Sequence, residues 1–154
     1  PTIMFTPARD EYWMRRAIEI GRRSPEKPFG AVIVDRERDV ALSEGVNTTE
    51  ESPLWHGEIV AIRNLPQAQG GESRRLVLYT TAEPCVMCQA AIHWSGIERV
   101  VFGVTVPDLV RLGWQQFSLR ANEIADAWKH QPCELVGPVL HAECLALFGD
   151  QLGP

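Results

Sequence analysis

The hydrophobic positions of this chain fall into short runs and helical repeats, punctuated by proline, glycine and charged turns. Tyr12, Trp13, Ala17, Ile18 and Ile20 recur at mostly helical spacing behind Asp10, a candidate cap, and Pro25 and Pro28 close the segment, which predicts a first helix. Two apolar runs follow, Phe29-Gly30-Ala31-Val32-Ile33-Val34 and residues 40–46, on either side of the charged turn Asp35-Arg36-Glu37-Arg38-Asp39. They predict a hairpin. After Ser52-Pro53, Ile59, Val60, Ile62 and Leu65 take up helical period until Pro66 stops them, so His56 lies at a helix start. A polar loop over residues 67–75 leads into the strand Leu76-Val77-Leu78-Tyr79-Thr80, and Glu83-Pro84 turns the chain. Residues 85–94 suit a buried helix with Gly96 at its end, and residues 97–104 another strand. Strand, helix and strand of this length predict parallel pairing through a right-handed crossover. Beyond Pro107 the pattern predicts helices over residues 119–128 and 142–148, with a strand over 135–140 between them.

The 154 residues, 45% of them hydrophobic, are enough for one domain with a substantial core, expected to span residues 1–154. A net charge of -5 disfavours a nucleic-acid partner, because binding to a phosphate backbone rests on Lys and Arg. The local cluster Arg15, Arg16, Arg22 and Arg23 reads as a solvated helix face. No stretch is long and apolar enough to cross a bilayer, and residues 1–9 lack the basic-then-apolar pattern of a secretory signal, so a soluble, cytoplasmic protein without a membrane partner is expected. In that setting the close pair Cys85 and Cys88 reads as metal ligands or redox groups before it reads as a disulfide. The glycosylation-like Asn47-Thr48-Thr49 is expected to be a chance match, since no secretory route is expected.

The central feature is His56-Gly57-Glu58 followed by Pro84-Cys85-Val86-Met87-Cys88, which matches the H-x-E and P-C-x-x-C signature of zinc deaminases. A C-x-x-C alone serves redox enzymes and structural zinc equally well. Here both halves fall at helix starts, where free backbone N–H groups and the helix dipole stabilise a thiolate. Two thiolates from Cys85 and Cys88 and a neutral imidazole from His56 make three ligands to Zn²⁺, which leaves the fourth tetrahedral position for a water acidified to a pKa of roughly 7. Glu58, two residues beyond the histidine, is placed to move protons between water, ring nitrogen and leaving amine.

A second H-x-E, His141-Ala142-Glu143 followed by Cys144, lies on the wrong side of the cysteine pair. If His141 and Cys144 joined Cys85 and Cys88, the site would be a closed, structural zinc. The expected reading is an exposed turn of the last helix with Cys144 packed inward. Cys133 has no partner pattern and reads as a packed thiol.

On these motifs, together with Phe29-Gly30-Ala31-Val32, Asn47 and the stretch from Thr80 to Cys88, the chain resembles the cytidine and nucleobase deaminase superfamily from the first helix to about Trp128. The resemblance implies an α/β fold of three α/β/α layers with a mixed five-stranded sheet. It also implies zinc on His56, Cys85 and Cys88, Glu58 as proton shuttle, and Asn47 hydrogen-bonding the base. Phe29 and Gly57 are expected beside the substrate, Gly57 giving a backbone N–H room there. A homodimer is implied as well.

The branch is less sharply marked. The run from Cys85 to Trp94 is similar to that of bacterial guanine deaminases, in which a Trp at the place of Trp94 lines the pocket. Gly113-Trp114-Gln115-Gln116-Phe117 stands where that group has two acids between aromatics, and here both are Gln. Gly57 resembles fungal-type cytosine deaminase, while Glu83 to Cys88 and Arg99-Val100-Val101-Phe102-Gly103 are shared with tRNA adenosine deaminases, whose basic C-terminal tail has no counterpart in residues 148–154. The expected substrate is a small nucleobase or nucleoside, guanine first, with cytosine or a related aminated heterocycle and then tRNA adenosine as alternatives. Trp55 and Trp114 face either the pocket, the core or a subunit contact.

Overall fold

A computed structural model describes residues 5–70 and 74–149. Helix α1 (Pro7–Gly21) starts earlier than its apolar repeat, because Thr6 caps it by accepting from the Arg9 N–H at 3.2 Å and a proline stands in its first turn, where no N–H is missed. Asp10 is therefore not the cap. It lies within the helix and is 4% exposed.

The hairpin forms as expected from β1 (Gly30–Asp35) and β2 (Val40–Val46), paired antiparallel with an irregularity between Ile33 and Val34. The chain then runs through α2 (Gly57–Arg63), β3 (Leu76–Ala82), α3 (Val86–Trp94), β4 (Arg99–Val104), α4 (Val106–Arg111), α5 (Ala121–Ala127), β5 (Glu134–Val136) and α6 (His141–Phe148). The sheet order is β2-β1-β3-β4-β5; β1 and β3 are antiparallel, whereas β3, β4 and β5 run parallel. This mixed five-stranded sheet carries helices on both faces.

Side chains of a strand alternate between faces, and the two core clusters follow that period of two. Val32, Val34, Val77, Tyr79 and Val101 pack with α1 and α6, while Ala31, Ile33, Leu76, Leu78 and Val100 pack with α2 and α3. Burial on both faces explains why β1, β3 and β4 read as continuous apolar runs.

Three elements differ from expectation. Helix α4 was not anticipated, although Thr105 and Asp108 form a complete capping box around Pro107. Strand β5 is shorter than residues 135–140, because Pro138 has no N–H to give a ladder. Helix α5 occupies only the middle of 119–128.

One close approach fixes where α2 lies. A Cβ on Gly45 of β2 would stand 2.3 Å from both the Ala61 nitrogen and the Gly57 oxygen, so only glycine lets α2 rest directly on the strand. On the opposite face a buried ionic cluster joins α1 to the sheet: Arg99 donates to Asp10 at 2.7 and 2.8 Å, and the Tyr79 hydroxyl donates to Asp10 at 2.8 Å. Asp10→Ala leaves the Arg99 guanidinium buried without its partner, and is expected to lower unfolding stability by about 3 kcal/mol in urea titration.

Candidate active site

Helices α2 and α3 both begin at the same end of the sheet. His56 is the extended residue that opens α2, and Cys85 is the extended residue that opens α3, with Cys88 one turn inside it. His56 Nδ1 lies 3.7 Å from Cys85 Sγ and 3.6 Å from Cys88 Sγ. All three ligand atoms fall within 4.8 Å of one another. A tetrahedral ion with Zn–S of about 2.3 Å and Zn–N of about 2.05 Å sets nitrogen and sulfur about 3.6 Å apart, so these residues fit Zn²⁺ as they stand.

The local electrostatics point the same way. The Cys85 thiol is lowered to about 4, first by the hydrogen bond from Cys88 and then, against burial, by the His56 imidazole and the Cys88 N–H. Cys88 is pushed up by its bond to Cys85, by burial and by Glu58. A divalent cation held here would take both sulfurs as thiolates and release whatever proton the pair carries.

Glu58 occupies the first turn of α2 and is 4% exposed. Burial pushes its carboxyl up, the charge of Cys85 adds to this, and a hydrogen bond from Thr80 opposes it. Thr80 Oγ1 stands 2.7 Å from Glu58 Oε1 and 3.0 Å from the Ala82 carbonyl. A hydroxyl carries one proton and can also accept. With Glu58 ionised Thr80 donates to it; with Glu58 protonated Thr80 accepts and donates to Ala82. Glu58 is satisfied in both states.

These groups open on a cavity of about 620 Å³ lined by Phe29, Asn47, His56, Glu58, Cys85, Trp114, Gln115 and Gln116 among others. Asn47, just past β2, donates its N–H to Phe29 O at 3.0 Å and is 7% exposed. Phe29 packs edge-on against Trp114 and Phe148, with ring centroids 5.3 and 4.9 Å apart, and the Trp114 indole donates to Phe148 O. The C-terminal helix thereby supports the cavity wall.

Two residues expected beside the substrate are not on the cavity lining. Trp94 is 80% exposed and does not line the cavity; it leans on Trp128 at 5.0 Å instead. It follows Cys88 by six residues, a rotation of about 600° and a rise of about 9 Å along the helix, which carries it off the ligand face. Gly57 is not on the cavity lining either. A Cβ there would meet Phe29 O at 2.3 Å, so only glycine lets α2 pack this closely at that point. Trp55 stays off the lining, its ring under the Arg63 guanidinium.

The second H-x-E stands apart from the site. His141 Nε2 pairs with Asp108 Oδ2 at 2.8 Å, and Cys144 is fully buried against Gly103. Cys133 sits half-buried beside Gln89.

Glu83 was read as a turn residue and as part of a shared motif, with no role of its own, yet it is 2% exposed and accepts from Val106 N at 3.0 Å, Ala121 N at 2.7 Å and Arg120 Nε at 2.9 Å. It ties the starts of α4 and α5, and so the wall between them, to the residue next but one to a ligand. An acid so close to the first cysteine was the available signal. Thr80 gave none, because a strand threonine looks like any other.

The fission yeast Schizosaccharomyces pombe has a probable cytosine deaminase 30% identical over 145 residues, covering 89% of this chain and 88% of that protein. A tRNA-specific adenosine deaminase of Bacillus subtilis is 33% identical over 140 residues, covering 88% and 84%. The solved guanine deaminase of Nitrosomonas europaea superposes with a TM-score of 0.78 over 91% of this chain and 82% of its own at 22% identity, a likeness of fold.

The donor geometry predicts about one zinc ion per purified chain, and Cys88→Ser is expected to lose most of it with the fold retained, by elemental analysis alongside circular dichroism. That donor set lies inside residues 7–104, more than half of the chain, which match the model of the cytidine and deoxycytidylate deaminase zinc-binding region, and the chain belongs to that family of zinc-dependent deaminases.

Proposed function

We propose that this chain hydrolyses the exocyclic amine of a free nucleobase, with guanine as substrate and xanthine and ammonia as products. The observation that carries the reading is Glu58: a buried carboxyl beside the three ligands, facing the cavity, with a hydroxyl partner suited to either of its protonation states. Zinc, when held by His56, Cys85 and Cys88, supplies an acidified water. Glu58 takes a proton from the attacking water, passes it to the ring nitrogen, and returns a proton to the departing amine. Asn47 donates to the base, and the Phe29 and Trp114 rings wall it in and exclude water.

A cavity of about 620 Å³ has room for a bicyclic base, which supports a purine over a pyrimidine. Gln115 and Gln116 line it with amides able to donate and accept along a purine edge. A free base is favoured over tRNA because, among the described residues, Lys27 is the one Lys or Arg on that lining, and the net charge is -5. Cytosine is the second reading, supported by His56-Gly57-Glu58 and by the yeast relative matched over 89% of the chain. A cytoplasmic homodimer belongs to the same proposal, supported by the exposed Trp94 with Trp128 beside it. Among the described residues no helix is long and apolar enough to cross a membrane.

Ammonia release from guanine, cytosine, adenine and a tRNA anticodon stem tests the substrate: guanine is expected to be fastest, and turnover of tRNA with none of any free base overturns the reading. Glu58→Gln is expected to lower kcat by about a thousandfold while zinc content stays as in the parent protein. Sedimentation at micromolar concentration is expected to give a dimer, and a monomer alone sinks that part.

A further inference from the structure

A side-chain amide has two chemically opposite ends, and nothing in Asn47 itself decides which of them meets the base. Its surroundings do. Asn47 Oδ1 lies 3.1 Å from the Thr49 backbone nitrogen and 2.8 Å from Thr49 Oγ1. The backbone N–H can only donate, so the atom facing it must be oxygen. The hydroxyl alone is ambiguous, but Lys27 Nζ stands 2.8 Å from the same Thr49 Oγ1. An ammonium group has donors and no acceptor, so Thr49 Oγ1 accepts from Lys27 and its single proton is directed to Asn47.

Both bonds thus demand the carbonyl end, and the Nδ2 amino group is turned the other way. Among the described residues no group accepts a hydrogen bond from it, and Lys27, Asn47 and Thr49 all line the cavity. The backbone bond by itself is an ordinary Asx turn. The hydroxyl and the lysine go beyond what a turn requires, and they fix the order of protons along Lys27, Thr49 and Asn47.

We infer that Thr49, held by Lys27, is a positioning residue that locks Asn47 as a hydrogen-bond donor into the cavity, so that the site selects bases presenting a carbonyl oxygen or an unprotonated ring nitrogen at that edge. This rests on the free-base reading above. An Asp at position 47 would accept the same two bonds from Thr49 and present a second acceptor to the base, reversing the polarity of that wall.

The test compares zinc-loaded parent protein with Thr49→Val, Thr49→Ser and Asn47→Asp, in kinetics with guanine and cytosine and in calorimetric binding of xanthine and uracil, the carbonyl-bearing products. Thr49→Val removes the hydroxyl and keeps the backbone N–H. It is expected to raise KM and the product Kd about fivefold, with kcat within about twofold and zinc content unchanged, the pattern of a lost ground-state contact. Thr49→Ser is expected to restore both, and Asn47→Asp to weaken binding about a hundredfold. A Thr49→Val variant with parental KM and Kd, a loss confined to kcat, or a serine variant no better than valine overturns the inference. Products that bind the parent protein and weaken in Thr49→Val, with no base turned over, uphold it while the free-base reading fails; a parent protein that binds neither product overturns it.

Discussion

Everything in this site depends on two helix starts meeting at one end of a sheet. An imidazole and two sulfurs from positions 56, 85 and 88 can share one ion only if the backbone brings α2 and α3 to a common point, and the approach is set by atoms that are missing. Gly45 and Gly57 have no Cβ, and each lies where one would press on backbone at 2.3 Å. The helix therefore rests on the hairpin itself, and His56 and Glu58 are delivered to the cavity floor by a rigid contact. The same helix starts favour negative charge, which suits the lowered Cys85 thiol.

Around that point the protein separates two demands. Charge is gathered in the buried interior, where Glu58 lies beside Cys85 and Cys88, and aromatic rings and amides line the rest of the cavity, where the proposed recognition is placed. Thr80 belongs to the first group and Thr49 to the second, and both act by having a proton that can be aimed. Thr80 is bonded to Glu58 and Thr49 to Asn47, and each bears on what that neighbour can do.

Much of this could be read from residues alone. The three ligands, and the place of Glu58 beside them, were legible because their spacing has few other uses, and β1, β3 and β4 because burial on both faces leaves an unbroken apolar run. The start of α1 was misread since a cap is visible in sequence only as a residue type, and Thr6 and Asp10 are both acceptable types; tertiary contacts with Arg99 and Tyr79 chose between them. Trp94 was assigned to the pocket by resemblance, where the turn of α3 carries it outward. Glu83, Thr49 and Thr80 stayed hidden because their partners lie up to 38 residues away or depend on a loop closing on itself, and such partnerships leave no periodic trace.

The anchoring of α4 and α5 on Glu83 has a consequence for how such a protein can change. The segment between Val106 and Ala121 is held at both ends by Glu83, two residues before Cys85, while Trp114, Gln115 and Gln116 along it line the cavity. Exchanges at positions 114–116 leave both anchors on Glu83 in place, so this part of the cavity wall can vary while the zinc-binding centre is inherited whole.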